Sequence, residues 1–206
     1  RLEFQREGDL HVDNIIIVSH EHNYKKTKNT FVKVLETYPI RLGAGKEYWW
    51  GINTKYSSSL QFGSSFDNES VIIDLDKSKE VPWNTFGFSP YQWMRVDLSS
   101  IYSTSALTFK LKAAELPKLQ AILFAYTGKK RRLHKILNES HFIDRGNGVY
   151  DAYLPLKSLM GYSEFRWDAL KEIRFKILES TQFEIGDFEL IEFRGNPQKP
   201  TEWKGI

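Results

Sequence analysis

Hydrophobic and polar positions alternate along much of the chain, and the pattern is clearest near its end. In residues 172–177, Ile173, Phe175 and Ile177 fall on one side and Glu172, Arg174 and Lys176 on the other, which predicts a half-buried strand. The run 182–193 starts with Phe183 and Ile185 in phase, then shifts so that Phe188 and Leu190 form the next large apolar pair. The shift falls at Gly186-Asp187, where glycine permits a bulge. Before the shift Asp187 shares the phase of Phe183 and Ile185. Its carboxylate is therefore expected near the core, where it needs hydrogen bonds or a cation. These residues predict the closing hairpin of a β-sandwich, preceded by one helical turn at 167–171.

Upstream, short apolar runs at 15–18, 31–35, 71–75, 95–98, 107–113 and 149–156 read as further strands, separated by turn signals such as Gly43-Ala44-Gly45 and Asn147-Gly148. In the last of them Tyr150, Ala152 and Leu154 share a face. Residues 119–126 are apolar on both sides, as expected of a central strand covered on both faces. Residues 77–91 read as a long connection with exposed aromatics, Phe86 and Phe88 among them. Nine or ten short strands with no internal repeat argue for an all-β sandwich of two antiparallel sheets spanning 1–193. The tail 194–206 reads as a linker, which points to a tether to a larger enzyme or surface protein.

Composition narrows this only a little. The chain has 206 residues, enough for one large domain with a sizeable core. No apolar run approaches the length of a membrane span. Cysteine is absent, which excludes disulfides, thiolate metal sites and cysteine nucleophiles. The net charge of +3 permits an anionic partner without requiring one. Aromatics make up 15% of the chain, more than the core demands, so some are expected to line a surface.

The densest aromatic patch is Tyr48-Trp49-Trp50. Adjacent residues of a strand point to opposite faces, so one tryptophan is expected in the core and the other outside. The Lys129-Lys130-Arg131-Arg132 run is expected at a hairpin tip, where it can meet anionic groups. Asp9, His11 and Asp13 alternate and would share a strand face suited to a divalent ion, as would His20 and His22. A solvated edge strand and an ordinary turn account for them more simply.

Several stretches resemble the galactose-binding-like jelly rolls, in particular carbohydrate-binding modules of the family-11 type. Trp93-Met94-Arg95-Val96-Asp97-Leu98-Ser99 is similar to their polar strand ending in Asp-Leu-Ser, and Tyr153-Leu154-Pro155-Leu156 to their strand ending in Pro-Leu. Trp167-Asp168-Ala169-Leu170-Lys171-Glu172-Ile173-Arg174-Phe175 resembles their Trp-Asp step, and 183–190 their final strand. The likeness covers roughly residues 93–193. It implies a jelly-roll sandwich and a non-catalytic module that binds a polysaccharide or oligosaccharide outside the cytoplasm, secreted or at a bacterial surface or in the periplasm. It also implies a structural calcium with Asp187 among its ligands, for which Asp13 and Glu36 are candidate partners.

Sugar rings have an apolar face and a polar rim, so aromatic platforms flanked by polar side chains suit them. Candidates are Trp49, Trp50, Tyr56, Trp83, Tyr91, Trp93, Tyr126 and Tyr153. Arg95, Arg131, Arg132 and His134 would pair with an anionic glycan. Two alternatives stand beside this. A jelly-roll hydrolase needs two carboxylates, for which Asp74 and Asp76 share a face, and a lyase needs a tyrosine or histidine with a cation. No nucleophile elbow, His-Glu-x-x-His or phosphate loop is present. A protein-interaction domain would use Phe86 and Phe88. Nucleic-acid binding is not expected, because the basic run has no interleaved aromatics.

Overall fold

The computed structural model describes residues 38–42, 45–51, 61–75, 84–91, 94–125, 132–161 and 164–193, and the backbone of 32–34. Fifteen strands lie among them: β1 (Val32–Val34), β2 (Ile40–Arg41), β3 (Trp49–Trp50), β4 (Gln61–Phe62), β5 (Ser70–Leu75), β6 (Thr85–Phe88), β7 (Arg95–Asp97), β8 (Ser105–Lys112), β9 (Leu119–Ala125), β10 (Arg132–Ile136), β11 (Phe142–Gly146), β12 (Val149–Pro155), β13 (Met160–Gly161), β14 (Leu170–Ile177) and β15 (Thr181–Glu192). Only single turns of 3-10 helix interrupt them, one at Trp167–Ala169 as expected. No helix among the described residues is long and apolar enough to cross a membrane.

The strands form two sheets. The first runs β1-β7-β14-β9-β10-β13, with β6 also beside β14 and β3 beside β6. The second runs β11-β12-β8-β15-β5-β4, with β2 beside β15. Every pairing is antiparallel except that of β1 with β7. The fold is thus the all-β sandwich that the alternation predicts.

The core lies between the sheets and is built by the period-2 pattern. Phe175 and Phe86 of the first sheet stack at 5.5 Å, and Phe175 meets Phe109 and Phe188 of the second at 5.2 and 5.7 Å. All four are buried. Burying such rings is the main favourable term in the fold.

The expected closing hairpin is instead a crossover between the sheets: β14 lies in the first and β15 in the second, and the two do not pair with each other. β14 pairs with β9 along most of its length and with β6 and β7 on its other edge. β15 pairs with β8 on one edge; on the other it pairs with β5 up to Gly186 and with β2 at Glu189 and Leu190. The expected bulge is present: Gly186 pairs with Lys110 and Glu189 with Thr108, so β15 spends one more residue than β8. Glycine is required at 186 by close approach, since a Cβ there would lie 2.7 Å from Ser70 Cβ and 2.8 Å from the Glu69 carbonyl oxygen.

Three further expectations change. Residues 85–88 are not an exposed connection but β6, and Phe86 and Phe88 are fully buried, so neither is available to a protein partner. Gly87 between them puts both rings on one side of the strand, facing the core. Residues 119–125 are covered on one face only: Leu119, Ala121, Leu123 and Ala125 are buried while Gln120, Ile122 and Phe124 are half-exposed. Finally, β10 and β11 escape the pattern, because β10 sends only Leu133 into the core among His134, Lys135 and two exposed residues.

Candidate functional site

Two outer faces are available, and they differ in character. The outer face of the second sheet is ionic over part of its area, beside a small apolar cluster of Ala106, Tyr153 and Phe193. Lys110, pointing outward from β8, bonds Asp187 Oδ2 at 2.8 Å, and Arg145 pairs with Asp151 at 2.7 Å. Asp187 takes a left-handed conformation with φ of 52°, which turns its carboxylate to that outer side. Its Oδ1 accepts hydrogen bonds from the Asn68 backbone N–H (2.8 Å) and Nδ2 (2.9 Å). Burial pushes the Asp187 carboxyl up, but the bonds from Lys110 and Asn68 outweigh it and hold the group below the usual carboxylate range. Glu184 behaves alike: burial is outweighed by bonds from Ser65 and Ser70 and by the nearby Lys112.

These contacts bear on calcium. A calcium ion takes six to eight oxygen ligands. Among the described residues, the groups bonded to Asp187 are the two N–H donors of Asn68 and the Lys110 ammonium, none of which is a calcium ligand. Among the described residues no group of three or more acidic or histidine side chains is arranged to hold a metal. Asp9, His11, Asp13, His20, His22 and Glu36 lie outside the described residues. Lys110→Met is expected to cost about 1–2 kcal/mol at neutral pH, modest because the Lys110 side chain is partly in water. The Asp187 pKa is depressed in the fold, so its stabilisation is present above the unfolded carboxylate range, near pH 4, and is lost as pH falls through the folded value. Urea unfolding of wild type and variant should therefore converge as pH falls below the folded value of Asp187, where the carboxyl is protonated in both; a difference that persists once the carboxyl is protonated would mean that the ion pair is not its source.

The outer face of the first sheet is different. Trp50 is opposite Gly87, Gly87 opposite Arg174, Arg174 opposite Ile122, Ile122 opposite His134, and His134 opposite Met160. These registers line up one row across β3, β6, β14, β9, β10 and β13. At about 4.8 Å between strands the row is roughly 24 Å long. One flanking row holds Glu172, Phe124 and Arg132; the other holds Lys176, Gln120 and Ile136.

Arg174 is the centre of the strip. Its guanidinium lies 4.0 Å from the Phe124 ring centroid and 5.2 Å from that of Trp50, in the range of cation–π attraction. Its Nε and Nη2 both donate to Glu172 Oε2, at 2.8 and 2.7 Å. A planar cation held by two rings and a carboxylate is preorganised. Gly87 makes room for the indole: a Cβ there would lie 3.0 Å from Trp50 Cζ2 and 2.5 Å from the Ile173 carbonyl oxygen. Gln120 Nε2 and His134 Nδ1 are 3.4 Å apart and add polar groups beside Ile122. Met160 and Ile136, 60% and 57% exposed, extend the apolar surface to the sheet edge. The strip therefore offers flat apolar area edged by hydrogen-bonding groups. Among the described residues it has one outward carboxylate, Glu172, which Arg174 engages, so the described part of the strip holds no carboxylate pair of the kind glycoside hydrolysis uses.

The adjacent tryptophans divide as strand geometry requires. Trp50 faces out, and Trp49 is in the core, 4.5 Å from Phe88 and 5.7 Å from Phe188. Trp49 is therefore not a platform, and neither is Tyr153, buried with Ala106 and Phe193 outside the second sheet. Arg95 is buried too, close enough to Asp168 to help lower its carboxyl pKa, behind the stronger effect of Arg166. Tyr91 is half-buried and donates to the Arg41 carbonyl oxygen at 3.1 Å; burial pushes its phenol up. Arg132 is exposed at the start of β10 and His134 is half-exposed in the strip. Tyr56, Trp83, Trp93, Tyr126, Arg131 and Asp76 lie outside the described residues, as do Lys129, Lys130 and the tail 194–206. The structure adds Phe124, Ile122, Arg174, Glu172 and Gln120. Alternation already placed Glu172 and Arg174 outward; the signal for β9 was its apolar outer positions, which read as covered.

An open cleft of about 770 Å3 lies where 113–116, 147–148 and 179–184 meet at one end of the sandwich. It carries Lys112, Glu115, Glu179 and Glu184, and its one ring, Phe183, belongs to the core.

No protein-family model matches the chain, and no curated protein matches it in sequence. Among solved structures, the chain is similar to a family 30 carbohydrate-binding module with a TM-score of 0.57 at 12% identity, over 76% of this chain and 99% of that one. The family 30 module of the cellulosomal cellulase Cel9D-Cel44B of Clostridium thermocellum gives 0.55 at 13% identity, over 77% and 100%. A family 11 module from Clostridium thermocellum, in complex with a β-1,3-1,4-mixed-linked tetrasaccharide, gives 0.49 at 12% identity, over 74% and 93%. At these identities the first two establish the fold: the chain has the jelly-roll sandwich of carbohydrate-binding modules, as the resemblance implied.

Proposed function

We propose that the protein binds a polysaccharide without cleaving it, on the outer face of the first sheet, outside the cytoplasm. The observation that carries the reading is the strip itself. Trp50, Phe124 and Ile122 supply apolar area for the CH faces of sugar rings, while Arg174, Glu172, Gln120 and His134 supply donors and acceptors for hydroxyls. A sheet face of this length accommodates several sugar units of an extended chain. The likeness of fold to modules of this kind supports the reading, since their name states what they bind.

Affinity electrophoresis through gels cast with a range of polysaccharides tests it, followed by assay of any hit for new reducing ends and for absorbance at 235 nm. Retardation without either product is the expected result. New ends or an unsaturated product would replace the binding module with a hydrolase or lyase. Migration unchanged by every glycan would overturn the reading in favour of a protein partner, for which exposed Ile136 and Met160 would be the docking edge.

A further inference from the structure

The two sheets carry opposite charge. The strands of the first sheet contain seven lysines and arginines against two acids, Asp97 and Glu172. The strands of the second contain four lysines and arginines against seven acids. The chain's net charge of +3 conceals this polarity, because it averages over both sheets. Across β3, β6, β9, β10, β13 and β14, Glu172 is the sole acidic residue, and Arg174 engages it with two hydrogen bonds. Arg132 and Lys176 are both exposed and outward-facing, and neither has an acidic partner among the described residues. They stand two strands and four residues apart, roughly 16 Å by strand geometry, with the Arg174 row between them.

We propose that the ligand of this strip is an anionic polysaccharide, bearing carboxylate or sulfate groups, with Arg132 and Lys176 as its charge-reading residues. This rests on the polysaccharide reading above and narrows it. An uncharged glycan needs rings and hydrogen bonds but gains little from exposed cations on the two flanks of the strip. A polyanion gains from both, and it is repelled by the acidic second sheet, so the charge polarity also selects which face it meets. Arg132 and Lys176 stand at the margins, where they meet charged substituents, while Trp50, Phe124 and Ile122 meet the sugar rings.

The test is calorimetric titration with three oligosaccharides of similar length: galacturonan for carboxylate, a sulfated galactan for sulfate ester, and a cello-oligosaccharide as the neutral probe. At least one acidic probe is expected to bind more tightly than the neutral one, and the difference should shrink as salt rises from 0.05 to 0.5 M and the charges are screened. Arg132→Gln with Lys176→Gln is expected to weaken acidic binding about five- to tenfold and to weaken neutral binding by a much smaller factor, since the amides still hydrogen-bond but carry no charge. The charge-matched control is Arg41→Gln with Lys157→Gln, which lies outside the strip and should bind as wild type does. The sulfated and carboxylated arms distinguish the two sources of charge. Neutral binding as tight as acidic and insensitive to salt would overturn the anionic class while leaving the polysaccharide reading intact. Equal loss in the control pair would overturn it as well, by showing that total charge and not the strip matters. Binding of none of the three would overturn the anionic class, and the polysaccharide reading would fall with it only if no polysaccharide gel retards the protein either.

Discussion

Phe175→Ala is expected to lower unfolding stability by about 3–5 kcal/mol, the range for truncating a buried ring. Phe175 is fully buried on β14 and touches Phe86 in its own sheet and Phe109 and Phe188 in the other. Its removal opens a cavity at the join of the two sheets, where rigid backbones on both sides limit collapse. A domain has only about 5–15 kcal/mol in hand, so the variant would stand near the limit of folding. Phe175→Leu keeps part of the volume and should cost about half as much. Urea denaturation measures both. A loss below about 1 kcal/mol for the alanine would mean that Phe175 is not packed between the sheets as described.

Trp50→Ala should do the reverse: leave stability nearly unchanged and weaken glycan binding about tenfold or more. A sugar ring that covers roughly 60–80 Å2 of the indole contributes about 1.5–2 kcal/mol, equivalent to a factor of ten to thirty in affinity. Arg174 loses one flank in the variant but keeps Glu172 and Phe124, so the rest of the strip stays in place. Calorimetry on the polysaccharide that retards the wild type gives the affinity, and a thermal melt shows whether the fold is intact. Trp49→Ala is the internal contrast, because that ring lies in the core between Phe88 and Phe188 and its loss should appear in the melt. Unchanged affinity in Trp50→Ala with a normal melt would move the binding surface off this sheet.

The comparison of these two neighbours shows where sequence reasoning reaches and where it stops. Strand geometry requires that Trp49 and Trp50 part company, and they do. Which of them faces inward depends on the partner strand, and Gly87 of β6, far along the chain, supplies the space that the Trp50 ring occupies. The two closing strands were legible down to the bulge because their apolar residues record both strands and the phase shift at once, but their pairing was not: alternation marks which face of a strand is buried, not which sheet it joins, and the expected hairpin is a step from one sheet to the other. The bond partners of Asp187 were not, since Lys110 and Asn68 become neighbours only when β8 and the loop before β5 flank β15. Residues 119–125 and 85–88 failed in opposite directions for one reason. A sequence records how strongly a residue prefers burial, not what the fold provides to cover it. Ile122 and Phe124 prefer burial and are left half-uncovered, so the apolar run that suggested a central strand marks an exposed platform. Phe86 and Phe88, set between prolines and beside a glycine, suggested a loop and are fully covered.

The last two strands, one central to each sheet, also set the order in which the protein can acquire its structure. β14 and β15 lie near the end of the described chain, yet their partners β2, β5, β6, β7, β8 and β9 are drawn from residues 40 to 125. During synthesis those partners leave the ribosome first, with an edge of unpaired backbone that nothing can yet occupy. Pairings so distant along the chain are slow to form. Until residues 170–192 emerge, the earlier strands present open edges and uncovered phenylalanines to the cell, the state in which chains bind chaperones or aggregate. Loss of the last twenty-odd residues of the sandwich would thus strand every earlier sheet element without its centre, and a truncation at residue 169 should leave a chain with no cooperative unfolding transition at all.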